Sequence, residues 1–172
     1  MRVADKIAEF LHEKGIRHVF GIIGAGNVCI FDAIANHGKI QIVPFHHEQA
    51  AVMAATYYYR VSERLAPVVI TTGAGSSNAI TGVLAAWMDS IPVLVISGNE
   101  AAHFFQRPNP RVAGVQGYHS AGLVKDITKI ADQVRVPAHA LISLSDCYRS
   151  ALAPRQGPCW VDICQDVQRA EI

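Results

Sequence analysis

Leu65-Ala66-Pro67-Val68-Val69-Ile70-Thr71-Thr72-Gly73-Ala74-Gly75-Ser76-Ser77-Asn78 continues through Ala79–Met88 without one charged side chain. An apolar run of this length matches the roughly 20 residues that cross a bilayer as a helix. Its middle, Thr71–Asn78, is polar turn chemistry whose backbone groups would go unsatisfied in lipid. The run therefore reads as a buried strand (Pro67–Ile70), a turn and a buried helix (Asn78–Met88). It does not span a membrane.

The same alternation extends outward in both directions. Upstream, Val3, Ile7, Phe10 and Leu11 form one helical stripe that Gly15 stops. The apolar strand His18–Ile23 follows, then Gly24-Ala25-Gly26-Asn27 and a helix to His37. Gln41-Ile42-Val43 reads as a strand and His47–Arg60 as a helix. Downstream, Pro92–Ser97 is a fourth strand, and Asn99–Gly117 has no periodicity and reads as a long loop. Ile127–Val134 and Cys159–Ile163 complete the strands, flanking a helix over 138–153. Alternation of this kind predicts a three-layer α/β/α domain with a six-stranded, mostly parallel sheet. At 172 residues the chain has room for a single domain, residues 1–172.

Composition removes several function classes. With 51% hydrophobic and 17% charged residues the chain is not disordered. Lys and Arg total 15 against 14 Asp and Glu, with no basic block, so a nucleic-acid footprint is missing. Cys29, Cys147, Cys159 and Cys164 lack CxxC or finger spacing, and the N-terminus lacks a signal-peptide pattern, which fits a reducing cytoplasm. The helices after Glu48 and after Asn78 carry almost no charge, so each expects a covering partner and the chain is expected to self-associate.

Ligands of open α/β sheets sit beyond the carboxyl ends of the strands. Three segments fall there: Ile22–Asn27, His46-His47-Glu48-Gln49 and Thr71–Asn78. The first resembles a dinucleotide-binding GxG, but Cys29 stands where the third glycine belongs, and the second strand ends without a ribose-holding acid. His46 and His47 have no companion ligands at zinc spacing and read as caps or cleft lining. Ser76 and Ser77 stand outside any G-x-S-x-G elbow and read as helix-start caps. Glu48 opens a helix that is uncharged until Arg60. Apolar surroundings favour the neutral form of a carboxyl and suit it to giving and taking a proton. An acid favoured by the helix dipole explains the same position equally well.

Five segments occur in order: Phe20–Ala25, His47–Ala51, Thr72–Asn78, Met88-Asp89-Ser90-Ile91-Pro92 and Gly157-Pro158-Cys159-Trp160-Val161-Asp162-Ile163. Together they resemble the N-terminal pyrimidine-binding domain of thiamine-diphosphate enzymes, the group of acetolactate synthase, pyruvate oxidase and benzoylformate decarboxylase. That resemblance covers essentially the whole chain. It implies that Glu48 is catalytic, hydrogen-bonding N1′ of the cofactor's aminopyrimidine and promoting its imino tautomer. It implies cofactor contacts from Ile22, Ile23, Gly24, Thr72, Gly73, Ala74 and Asn78, with Ile23 and Ala74 standing where proline is usual. Gln116 matches a glutamine near the reacting carbon, although Val115, Gly117 and Tyr118 depart from the family's pattern around it.

By the same resemblance, thiamine diphosphate is held with magnesium by a second domain marked by GDG and Asn-Asn, and this chain contains no Gly-Asp pair. No metal ligand is therefore expected here, and a parent enzyme's FAD has no support in these residues. The implied function is the pyrimidine-binding half-site of a decarboxylase or carboligase acting on 2-keto acids, inactive without the diphosphate-binding domain of another subunit or of a parent chain. We read the chain as a domain excised from a longer one. The alternatives are a separate alpha subunit of a split decarboxylase and a non-catalytic dimerisation module.

Overall fold

A computed structural model describes residues 1–106 and 111–172. Its strands are β1 (His18–Gly21), β2 (Gln41–Pro44), β3 (Val68–Ile70), β4 (Leu94–Asn99), β5 (Ala131–Val134) and β6 (Cys159–Cys164). They form one six-stranded sheet in the order β2-β1-β3-β4-β6-β5, and every pairing is parallel. The helices are α1 (Val3–Glu13), α2 (Val28–His37), α3 (Glu48–Ser62), α4 (Ala74–Asn78), α5 (Ile80–Met88), α6 (Ser120–Val124), α7 (Ala140–Leu152) and α8 (Gln165–Arg169).

The period of two along each strand divides the core between the two faces of the sheet. Val19, Val69, Leu94, Ile96, Val161 and Ile163 point to one face and pack with α1, α2 and α7. Phe20, Val68, Ile70, Val95 and Trp160 point to the other and pack with α3 and α5. Strands buried on both faces require the continuous Val/Ile/Leu runs that the sequence shows. All four cysteines are buried and free. No described helix is long and apolar enough to cross a membrane.

Several boundaries differ from the periodicity. The expected helix from Asn78 to Met88 is two helices, α4 and α5, joined at Ala79. Gly73, at φ 68°, reverses the chain abruptly after β3, so the helical turn begins at Ala74. The last long strand starts at Ala131 and not at Ile127, because Lys125–Ile127 is a 3-10 turn and the Thr128 hydroxyl donates to Val124 O at 2.8 Å. The helix expected over 138–153 is a 3-10 turn at Pro137–His139 followed by α7. Asn99 belongs to β4, and the expected loop contains a 3-10 turn at Ala102–Phe105; its residues 107–110 lie outside the described residues.

β1 and β3 lie side by side in the sheet, yet the chain leaves β1 towards β2 and leaves β3 in the opposite direction, towards β4. That divergence opens a crevice at their carboxyl ends, where ligands of open α/β sheets bind.

Candidate functional site

Three loops meet at the crevice. After β1, the buried Asn27 ties the turn onto itself: its Oδ1 accepts from Gly24 N at 2.8 Å and its Nδ2 donates to Ile22 O at 3.0 Å. The turn sits on the end of β4, where a Cβ on Gly98 would lie 1.9 Å from Gly26 O. Thr71 Oγ accepts from Gly26 N at 3.1 Å, joining the loops after β1 and β3. Ile22 is half-buried, and Ile23, at 62% exposure, stands out into solvent.

Beyond β2, His47 caps α3, its Nδ1 accepting from Gln49 N at 3.2 Å, while His46 is exposed. The cap sets Glu48 as the first residue of α3, where it is 7% exposed. Its Oε2 accepts from Asn78 Nδ2 at 3.0 Å. Among the described residues no donor reaches Oε1. That oxygen faces Gly75, where an added Cβ would come within 3.1 Å of it. One carboxylate oxygen is thus fixed by α4, and the other is kept free by a missing side chain.

The loop after β3 carries the remaining candidates. Gly73 is buried, and a Cβ there would meet Gln116 O at 3.0 Å and Gln116 Cδ at 3.3 Å. Gln116 is therefore brought against this wall from a distant part of the chain. Thr72 turns its hydroxyl inward, donating to Gly98 O at 3.2 Å, which leaves its backbone for the crevice. Ala74 is exposed. Ser76 and Ser77 do not cap a helix start as the sequence suggested. Both lie inside α4, and their hydroxyls donate back to Gly73 O at 2.9 Å and Ala74 O at 3.1 Å.

Glu48 is thus brought to Asn78 and Gly75, and Gln116 to Gly73, while Gly24 lies against Thr71. Ile23 is not brought to this set: it lines a separate cavity with Val28, Phe31, Ile42 and Pro44. Sequence reasoning passed over a second, inner set of polar residues. Asp162 is fully buried in β6, with its Oδ2 accepting from Asn99 Nδ2 at 2.6 Å and Ser120 Oγ at 2.7 Å. Burial pushes its carboxyl up to about 6. A charged residue inside an otherwise apolar strand was the available signal. Among the described residues, no group of three or more His, Cys, Asp or Glu could hold a metal.

Comparison with known proteins gives the chain its family. The model for the N-terminal TPP binding domain of thiamine pyrophosphate enzymes matches residues 1–127, and the chain belongs to that family. It is 32% identical over 169 residues to the acetolactate synthase large subunit of Lactococcus lactis, covering 96% of this chain and 28% of that protein. With the corresponding large subunit of Corynebacterium glutamicum it shares 31% identity over 172 residues, 100% of this chain and 27% of the relative. A probable acetolactate synthase large subunit of Methanocaldococcus jannaschii is 30% identical over 174 residues, again across 100% of this chain and 28% of the relative. The chain spans a little over a quarter of the length of these relatives.

Proposed function

We propose that this chain supplies the pyrimidine-binding half of a thiamine-diphosphate site in an acetolactate-synthase-like enzyme that decarboxylates or joins 2-keto acids. The observation that carries the reading is the Glu48 carboxylate, buried at the switch point with Oε2 on Asn78 and Oε1 free. The residues present fit an aminopyrimidine ring. A flat heterocycle needs room for close approach and one acid aligned with a ring nitrogen, and the crevice offers the bare glycines Gly73 and Gly75 beside the free Glu48 oxygen, with Gly24 against Thr71 in the loop after β1. Ile22, Ile23, Thr72 and Ala74 remain proposed contacts from the family resemblance. Bound there, the cofactor supplies an electron sink for the charge left when a 2-keto acid loses carbon dioxide.

This chain's own residues do the positioning and the proton work. Glu48 Oε1 holds a proton in common with the ring nitrogen N1′, and Asn78 keeps the carboxylate from turning away. Burial strengthens that hydrogen bond by excluding competing water. Gln116, against Gly73, orients the keto acid. The diphosphate and its magnesium are held by a second domain, from another subunit or a parent chain, so this chain alone is inactive. The free, buried cysteines fit a reducing cytoplasm.

Titrating the chain with thiamine diphosphate, magnesium and a matching diphosphate-binding domain, followed by tryptophan fluorescence, tests the reading. Saturable quenching that needs all three components is expected. Its absence, with the two proteins still associating, would leave a dimerisation module.

A further inference from the structure

A hydrogen-bonded path runs from the buried Asp162 to the candidate site through residues with no role assigned so far. Asn99 Nδ2 donates both to Asp162 and to Tyr118 O, the latter at 2.9 Å, and Ser120 Oγ donates to Asp162. These bonds anchor the base of a turn closed by reciprocal backbone bonds between Ala113 and Gly117, at 2.7 and 2.8 Å. Gln116 stands near its tip. From the same turn the Tyr118 hydroxyl reaches Ser76 Oγ at 2.7 Å. Ser76 has a single hydroxyl proton, and it is already engaged on Gly73 O. Tyr118 is therefore the donor of the pair. Burial also raises the Tyr118 phenol above its ordinary value, so the proton it donates stays in place.

The acceptor lies in α4, two residues before Asn78. A helix of five residues has little stability of its own, so its position depends on tertiary ties. We propose that Tyr118 is a positioning residue for Glu48: by donating to Ser76 it fixes the short helix that holds the Asn78 amide against the carboxylate. The same turn presses Gln116 onto Gly73, so one brace sets both the proton-holding acid and the expected substrate contact. The proposal rests on the reading of Glu48 as the group that serves the cofactor.

The test uses the full chain without cofactor, so its failure is distinct from a failure to bind thiamine diphosphate. Solvent exchange of the Asn78 side-chain amide and of the Ser76 and Ser77 backbone amides is followed by NMR in wild type, Tyr118→Phe and Ser76→Ala. Loss of the phenol–serine bond should speed exchange at these groups on the order of tenfold and shift the Asn78 amide signals towards solvent-exposed values. Exchange in β3 and β4 should stay unchanged. Both substitutions remove the phenol–serine bond, and Ser76→Ala also removes the donation to Gly73 O, so the double variant should add little to Ser76→Ala. Should Tyr118→Phe fold poorly, Ser76→Ala, which keeps the ring, carries the comparison. Unchanged Asn78 signals in the folded variants, or faster exchange spread evenly over the core strands, would overturn the proposal.

Discussion

Glu48 and Asp162 are both buried acids, yet their surroundings give them different work. Glu48 has one oxygen on Asn78 and one free oxygen at the crevice, whereas Asp162 lies wholly inside the sheet among neutral donors. Folding raises the Asp162 carboxyl from the usual carboxylate range to about 6, so the native state binds its proton more tightly than the unfolded chain does. The contribution to stability is present in full below about pH 4 and is lost as pH rises towards 6. A shift of about two units corresponds to roughly 3 kcal/mol. Urea unfolding midpoints should therefore fall between pH 4 and 6 in wild type, and Asp162→Asn should flatten that slope. Asp5 acts with the opposite sign at lower pH, since its hydrogen bond from Arg2 holds its carboxyl below the usual value, so its contribution is lost as pH falls further. Glu48 was visible in the sequence as a solitary charge at a helix start. The Asp162 network was not, because its donors come from positions 99, 120 and 133 and meet only in the folded sheet.

At the scale of elements, the inner strands β1, β3, β4 and β6 were legible because burial on both faces writes an uninterrupted apolar run into the chain, whereas the edge strands β2 and β5 are less buried. The division of residues 74–88 into α4 and α5 was not. No charge or proline marks Ala79, where α4 ends and α5 begins, whereas the early start of the helical turn at Ala74 follows from the Gly73 backbone. Close backbone approaches hold this end of the sheet together. Gly98→Ala would place a methyl group 1.9 Å from Gly26 O and drive the loop after β1 away from β4. We expect a destabilisation of about 1–3 kcal/mol or more, read as a lower urea midpoint. A stability equal to wild type would show that the two loops can separate freely. His47→Ala, which removes the cap on α3, should cost about 1 kcal/mol by the same measurement.

For the molecule as a whole, α5 and the stretch of α3 between Glu48 and Arg60 carry no charge and leave apolar side chains exposed. Tyr57 and Val61 of α3 and Leu84, Trp87 and Met88 of α5 are exposed. Arg60, paired with Asp89, lies 5.5 Å over the Tyr57 ring and so sets one ion pair beside these side chains. Covering such side chains is worth about 1.5–3 kcal/mol each when burial is complete. The chain should therefore sediment as a dimer or larger at micromolar concentration, and a Leu84→Asp, Met88→Asp variant should sediment as a monomer with its circular dichroism unchanged. A wild-type chain that stays monomeric would count against a partner on this face. Missing charge on these helices can be read in the sequence without a structure, whereas what covers the face is not written in this chain.

Hydrogen–deuterium exchange at C2 of thiamine diphosphate bears most directly on Glu48 as the group that serves the cofactor. It needs the chain assembled with its diphosphate-binding domain, and it needs no knowledge of the keto acid. Glu48→Gln keeps the shape and the helix start, and can still accept from Asn78, but an amide cannot give and take the proton at the ring nitrogen. The account predicts a folded variant that binds cofactor and exchanges C2 on the order of 10²–10⁴-fold more slowly than wild type. Exchange at the wild-type rate in that folded, cofactor-bound variant would contradict it.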